Sequence, residues 1–248
     1  MFIALKSTAK FMNQDQLPLA PFSALAVVGG THFDSAKGAI YLKGRGINAI
    51  PLAISDQPIE DEAIYRDPSI VRRTFFERKG ERSFSEIAVY CNSLSFITNW
   101  HEIYPGQTAE LTVYYETILK EADLNNLAII VSEEFTRDNL KDWAAREKIC
   151  DPSALQIYPE LELIKKLERS DEEKQFTLLN QTLNRFRDLG YGEILLGCTH
   201  LDHPSFNEVA DLRIYQPGLL MLEDLVSEYD QYRTALRRSD LERIDPPQ

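Results

Sequence analysis

The chain has 248 residues, of which 44% are hydrophobic and 27% are charged, a composition typical of globular proteins rather than long disordered ones. Its 39 acidic and 27 basic residues give a net charge of −12, which disfavours binding to nucleic-acid phosphates. No apolar run is long enough to cross a bilayer, and residues 1–22 form a polar extension that does not resemble a signal peptide. The three cysteines are a sparse, odd-numbered set, which indicates a reducing, cytoplasmic setting rather than a disulfide framework.

Short apolar strands and amphipathic helices alternate along the rest of the chain. Strands are predicted at 23–29, 47–54, 86–90, 127–131, 155–157, 193–196 and 212–215, and helices at 32–43, 67–79, 110–122, 136–148, 160–169, 171–189 and 219–236. Asp34 or Ser35 is the expected N-cap of the first helix. This alternation predicts an α/β fold with parallel sheets, in which ligands bind at the carboxyl ends of the strands.

A repeated pattern marks two halves of the chain. Residues 86–93 read EIAVYCNS and residues 193–200 read EILLGCTH, so each stretch places a cysteine and two polar residues just after an apolar strand. Cys91 and Cys198 would then lie near helix N-termini, whose free N–H groups stabilise a thiolate. The polar side chains beside them that could hold a substrate carboxylate are Asn92, Ser93 and Thr199.

Two thiols that face each other across a cleft are suited to stereochemical inversion at carbon. One base cannot reach both faces of a tetrahedral centre, so one thiolate would remove a proton while the opposing thiol protonates the other face. A cysteine at a strand end is often only a small buried apolar residue, but two matched cysteines favour the chemical interpretation. Cys150 has no counterpart in the repeat and is interpreted as structural.

Both cysteine motifs resemble those of a known enzyme family. Residues 91–95, CNSLS, are similar to the Cys-Asn-Thr-Ala motif of the aspartate/glutamate racemase superfamily. Residues 197–200, GCTH, are similar to the second cysteine motif of its glutamate racemase branch. Weaker matches follow the family's order at 33–35, 103–106 and 159–162, so the resemblance covers roughly residues 24–225.

The resemblance implies a cofactor-independent amino-acid racemase with two similar flavodoxin-like lobes and an active-site cleft between them. The first lobe would comprise 23–108 and 207–248, and the second 109–206. The implied catalytic groups are Cys91 and Cys198 as acid/bases, Asp34 assisting Cys91, and His200 and Glu162 assisting Cys198. The implied substrate-binding residues are Ser35, Asn92, Ser93, Thr136 and Thr199. The expected substrate is an acidic amino acid, glutamate first and aspartate next, and the fold likeness suggests a homodimer.

Some stretches depart from the family's pattern. Residues 34–39 read DSAKGA where the family has Asp-Ser-Gly-x-Gly-Gly, and no Val-Pro-Tyr-Gly segment follows Ile54. Only Thr136 remains of a Gly-Thr-x-x-Thr stretch. The cysteine pair stands, but two alternatives stay open. One is an isomerase or lyase that uses a single cysteine covalently, and the other is a catalytically altered protein that binds a small acid.

A metal site is a further possibility for the second cysteine motif. The candidate ligands are Cys198, His200, Asp202 and His203. A structural zinc site needs four closed ligands and usually draws on a second cluster of ligands elsewhere in the chain, which this sequence does not offer, so no metal is expected.

Overall fold

Two parallel β-sheets of four strands each form the framework of this protein. The computed structural model describes residues 24–56, 67–104, 106–207 and 211–244, with side chains as far as residue 234. The predicted extension at 1–22 lies outside the described residues. No helix within the described ranges is both long and apolar enough to cross a bilayer.

The first sheet uses the N-terminal part of the chain. Its strands are β1 (Leu25–Gly29), β2 (Ala49–Ala53), β3 (Glu86–Val89) and β4 (Gln107–Glu110), in the spatial order β2-β1-β3-β4. The helices that accompany them are α1 (His32–Gly44), α2 (Pro68–Lys79), α3 (Asn92–Ile97) and α4 (Trp100–Ile103). All neighbouring strands run parallel, as predicted from the alternation of strands and helices.

The second sheet repeats this arrangement. Its strands are β5 (Leu127–Val131), β6 (Gln156–Pro159), β7 (Glu193–Leu196) and β8 (Arg213–Tyr215), in the order β6-β5-β7-β8. The remaining helices are α5 (Thr112–Glu121), α6 (Glu134–Arg146), α7 (Leu161–Glu168), α8 (Glu172–Asp188) and the closing α9 (Pro217–Ile244). Strands β3 and β7 occupy equivalent places in their sheets. The prediction of two similar flavodoxin-like lobes with parallel sheets is therefore confirmed.

The central strands are apolar because helices cover both faces of each sheet. Every residue of β1, β3 and β5 is buried, as expected for parallel strands packed on both sides. One apolar cluster lies between the sheets and joins Val27 of β1 and Ile129 of β5 to Tyr115 of α5 and Leu222 of α9. The outer face of each sheet has a cluster of its own. A continuous core therefore holds the two lobes together.

Local sequence patterns missed β4 and α3. A helix was predicted over 110–122, whereas residues 107–110 pair with β3 and the helix begins at Thr112. Four residues at a sheet edge, two of them Gln and Glu, are too short and too polar to be recognised by alternation. The N-cap of α1 is also corrected. It is Thr31, and Asp34 occupies the third helical position of a capping box.

One strand crosses an expected lobe boundary, and another lies wholly within the range that was expected to belong to the other lobe. β4 belongs to the first sheet, although its residues 109–110 were assigned to the second lobe. β8 pairs with β7 and extends the second sheet to Tyr215, beyond the expected end at residue 206. The strand pairing therefore shows that the chain leaves the first sheet only at the start of α5 and leaves the second sheet only at the start of α9, in both cases after the predicted boundary.

The buried end of β4 gives a prediction for the dependence of stability on pH. Glu110 is 7% exposed, and burial raises its pKa from 4.5 to about 7, with Nε2 of His101 lying 3.5 Å from its Oε1. A carboxyl whose pKa is raised by folding favours the folded state below its unfolded pKa, and this stability is lost as the pH rises through 7. We expect Glu110→Gln to remove roughly 2 kcal/mol of the decline in unfolding free energy between pH 4.5 and 7.5. Urea unfolding at both pH values tests this, and equal declines in the two proteins would contradict it.

Candidate active site

Cys91 and Cys198 lie at the carboxyl ends of β3 and β7 and line the same cavity between the lobes. Both side chains are buried, with 8% and 6% of their surface exposed. The cavity has a volume of about 20 Å³, which is room for about one water molecule. Its wall is made of Thr31, Asp34, Cys91, Asn92, Ser93, Ser132, Phe135, Gly197, Cys198, Thr199 and His200. The sequence repeat therefore brings the two thiols to one enclosed space.

The environment of Cys91 favours the protonated thiol. Burial raises its pKa well above the usual range, and the Asp34 carboxylate raises it further. The backbone N–H groups of Leu94 and Gly30 act in the opposite direction, because they donate hydrogen bonds to the sulfur. Cys91 therefore holds a proton that it can deliver.

Asp34 lies at the start of α1 with its carboxylate fully engaged. It accepts hydrogen bonds from the backbone N–H groups of Gly30 at 2.9 Å, Thr31 at 2.8 Å and Ser35 at 3.0 Å. The Thr31 hydroxyl donates a fourth bond at 3.0 Å. Burial raises the pKa of Asp34, while His200 and these donors lower it. Asp34 is thus the N3 residue of the capping box of α1 and also part of the cavity wall beside Cys91.

Cys198 begins a chain of three side chains, of which Cys198 and His200 are buried and Glu168 is partly exposed. Its sulfur lies 3.4 Å from Nδ1 of His200, and Nε2 of His200 lies 3.0 Å from Oε1 of Glu168 at the end of α7. Burial alone lowers the pKa of His200, but the adjacent sulfur, the bond to Glu168 and the Asp34 carboxylate raise it to about 10. The imidazole also stacks on Phe33 with 4.9 Å between ring centroids. His200 is therefore a fixed imidazolium that donates one proton to each neighbour.

Hydroxyl and amide groups form the rest of the site. Asn92, Ser93 and Thr199 line the cavity as predicted from the sequence. Thr136 lies behind the wall, where its hydroxyl is 2.9 Å from that of Ser93 and 3.1 Å from that of Ser132. Among the described residues, Oδ1 of Asn92 has no hydrogen-bond partner, which leaves it as an acceptor for a ligand.

Two predicted site residues are placed elsewhere. The side chain of Glu162 is 79% exposed and pairs with Lys165 at 3.5 Å on the surface of α7. Its expected role beside Cys198 is therefore wrong, and Glu168 takes that place. Ser35 is buried, but its hydroxyl donates to the carbonyl of Thr31 at 3.0 Å and does not line the cavity. A serine in a first helical turn commonly makes this backbone bond.

Sequence reasoning missed Glu168, Ser132 and Lys37. Glu168 follows Ile164 by one helical turn, and because Ile164 is fully buried, Glu168 lies at the edge of the inner face of α7. Lys37 donates hydrogen bonds to the backbone of Thr199 and His200, but in the sequence it stands out only as a departure from a family motif. No comparable signal identifies Ser132. Among the described residues, no three His, Cys, Asp or Glu side chains are grouped so that they could hold a metal ion.

Comparisons with known proteins agree with this architecture. No protein-family model and no curated protein matches the sequence. An aspartate racemase from Picrophilus torridus has a TM-score of 0.56 at 10% identity, covering 83% of this chain and 94% of that one. A glutamate racemase from Francisella tularensis, in complex with D-glutamate, has a TM-score of 0.54 at 14% identity, covering 86% and 83%. An allantoin racemase from Pseudomonas fluorescens has a TM-score of 0.53 at 11% identity, covering 82% and 91%. The chain therefore has the fold of the aspartate/glutamate racemase superfamily, which its cysteine motifs resemble.

Proposed function

We propose that this protein is a cofactor-independent racemase that inverts the α-carbon of an amino acid by proton transfer between Cys91 and Cys198. The observation that carries the proposal is the pair of buried cysteines, which end equivalent strands of two similar lobes and line one cavity. The likeness of the fold to racemases of aspartate, glutamate and allantoin supports the reaction class. Three free cysteines fit the reducing, cytoplasmic setting that we also propose.

The two cysteines would act on opposite faces of the substrate. Their roles as base and acid would be exchanged between the two directions of the reaction. In one direction the Cys198 thiolate takes the α-proton, and the Cys91 thiol protonates the opposite face. In the reverse direction Cys91 takes the proton and Cys198 returns one. The His200 imidazolium stabilises the thiolate form of Cys198, and Glu168 fixes the orientation of the ring. The carbanion-like transition state would be stabilised by hydrogen bonds from the polar wall to the substrate carboxylate.

Substrate binding requires the cavity to enlarge. A cavity of about 20 Å³ holds about one water molecule, far less than an amino acid needs. The wall offers hydroxyl, amide and backbone groups to a carboxylate, and Oδ1 of Asn92 offers an acceptor to an ammonium group. We propose glutamate as the first candidate and aspartate as the next.

A second candidate is favoured by the unequal surroundings of the two thiols. Only Cys198 has a histidine and a carboxylate in line with its sulfur, the arrangement of an activated nucleophile. An isomerase or lyase of a small carboxylic acid that forms a covalent bond to Cys198 alone would use the same residues.

Solvent-deuterium incorporation separates these possibilities. We expect the wild-type protein, without added cofactor, to replace the α-proton of either enantiomer of glutamate or aspartate by deuterium while it inverts the centre. Proton NMR in D₂O and chiral chromatography measure the two processes, and Cys150→Ser is the control because Cys150 does not line the cavity. Exchange without inversion would favour the single-cysteine enzyme. The absence of exchange with every amino acid would contradict the racemase proposal.

A further inference from the structure

Lys37 reaches from the first lobe to the turn that follows Cys198. It lies in the middle of α1, and its Nζ donates hydrogen bonds to the carbonyl oxygens of Thr199 at 3.2 Å and His200 at 2.9 Å. The ammonium group also lies 5.8 Å from the ring centroid of Phe33, the residue that stacks on His200. One side chain of α1 therefore fixes the backbone that carries the histidine partner of Cys198.

The ammonium group is surrounded by acidic groups between the lobes. Burial lowers the pKa of Lys37, whereas Asp202, Cys198 and Asp34 raise it. Asp202 is 3% exposed and accepts a hydrogen bond from the Tyr90 hydroxyl at 2.8 Å, and burial raises its pKa to about 7. Burial prevails, so the pKa of Lys37 is lowered overall, and in its protonated form Lys37 places a positive charge from the opposite lobe within electrostatic reach of the Cys198 sulfur.

Several other titratable groups face Cys198 from the elements around it. They are Asp34 on α1, Tyr90 and Cys91 after β3, Tyr115 on α5, Glu168 on α7 through His200, and His200 on its own turn. Asp202 on the same turn interacts with Lys37 instead. Among these described groups, His200 is the only cation besides Lys37. The surroundings of Cys91 are different, because its sulfur accepts hydrogen bonds from backbone N–H groups and has the Asp34 carboxylate nearby.

We propose that Lys37 is a positioning residue for Cys198, which holds the Thr199–His200 turn against α1 and favours the anionic form of the sulfur by its charge. The inference rests on the proposed function, since it concerns the thiolate that Cys198 forms to remove the α-proton. It predicts that Lys37→Met slows the reaction. Because the equilibrium constant of a racemisation is one, kcat/KM should fall by the same factor for the two enantiomers.

The test follows the ionisation of Cys198 without any substrate. In a full chain with Cys91→Ser and Cys150→Ser, Cys198 is the only cysteine, and its thiolate is followed by ultraviolet difference absorbance against a Cys198→Ser chain. We expect Lys37→Met to raise the pH of half-ionisation by about one unit, which lowers the thiolate fraction near pH 7 up to tenfold. Lys37→Arg keeps the charge and should restore most of it.

Two controls keep the result interpretable. Lys37→Gln keeps a hydrogen-bond donor without the charge, so it replaces the methionine variant if that variant fails to fold by circular dichroism. In a chain where Cys91 is the only cysteine, Lys37→Met should leave the titration unchanged. An unshifted Cys198 titration in a folded neutral variant, or an arginine variant as impaired as the methionine one, would overturn the proposal.

The titration is independent of whether any amino acid is racemised. A shifted titration with no turnover would uphold the role of Lys37 and reject the proposed substrates. Turnover with an unshifted titration would uphold the racemase and reject this role. If both hold, Lys37→Met should lower kcat more than it raises KM, and it should lower kcat/KM by the same factor for both enantiomers.

Discussion

Replacement of either cavity cysteine by serine is expected to reduce inversion of the substrate by about 10³-fold or more. A serine hydroxyl is much less acidic than a thiol, so it neither holds a negative charge near neutral pH nor delivers a proton readily. Each single variant keeps the other thiol, however, and that thiol still reaches one face of the substrate. Cys91→Ser should therefore retain exchange of the α-proton for solvent deuterium in the enantiomer that presents its proton to Cys198. Cys198→Ser should show the opposite preference.

These opposite preferences distinguish a two-base enzyme from a single nucleophile. Chiral analysis and proton NMR of the same samples measure inversion and exchange together. Cys150→Ser is the matched control, since this cysteine is only half-buried and does not line the cavity. If Cys91→Ser inverts its substrate within tenfold of the wild-type rate, the two-base mechanism is wrong and the single-cysteine reaction gains support.

The second large effect is expected at Glu168. Glu168→Gln removes the carboxylate that helps to hold the pKa of His200 at about 10. The amide can still accept the hydrogen bond, but it no longer stabilises the imidazolium, so His200 should lose its proton at lower pH. We expect kcat to fall about 10- to 100-fold and the alkaline limb of the kcat/KM profile to move to lower pH.

Glu162→Gln provides the matched control on the same helix. Its side chain is exposed and pairs with Lys165, and exposed pairs of this kind contribute little. The pH profile of this variant should superimpose on that of the wild type. An unmoved alkaline limb in Glu168→Gln, or an equal shift in both variants, would contradict the assignment of Glu168 to the Cys198 side of the site.

The two glutamates of α7 also show where sequence reasoning reaches its limit. Strand ends and the cysteine repeat are local features, so the positions of Cys91 and Cys198 were predictable from residues a few places apart. The carboxylate partner of His200 depends on which face of α7 meets the Cys198 turn. Glu162 and Glu168 are six positions apart, which places their side chains about 120° apart around the helix. The resemblance suggested a carboxylate near the start of the helix, and only packing selects the one at its end.

Strands at the edge of a sheet were not predicted for a different reason. The buried strand β5 reads LAIIV and is recognisable from its composition, whereas β4 reads QTAE and is defined by its pairing with β3. Lys37 likewise has no local signal, because its partners are carbonyl groups more than 160 positions away. Contacts between residues far apart in the chain, rather than local patterns, account for what the sequence did not predict.

The apolar cluster shared by the two sheets has a consequence for the order in which the protein matures on the ribosome. Each sheet is drawn from one continuous stretch of chain, so both can form as they emerge. The helix α9 is made after both sheets, yet its Met221, Leu222 and Leu225 pack in the same cluster as Leu25 and Leu42 of the first lobe. Nascent chains that end before α9 therefore expose this apolar surface, which favours association until α9 packs against it.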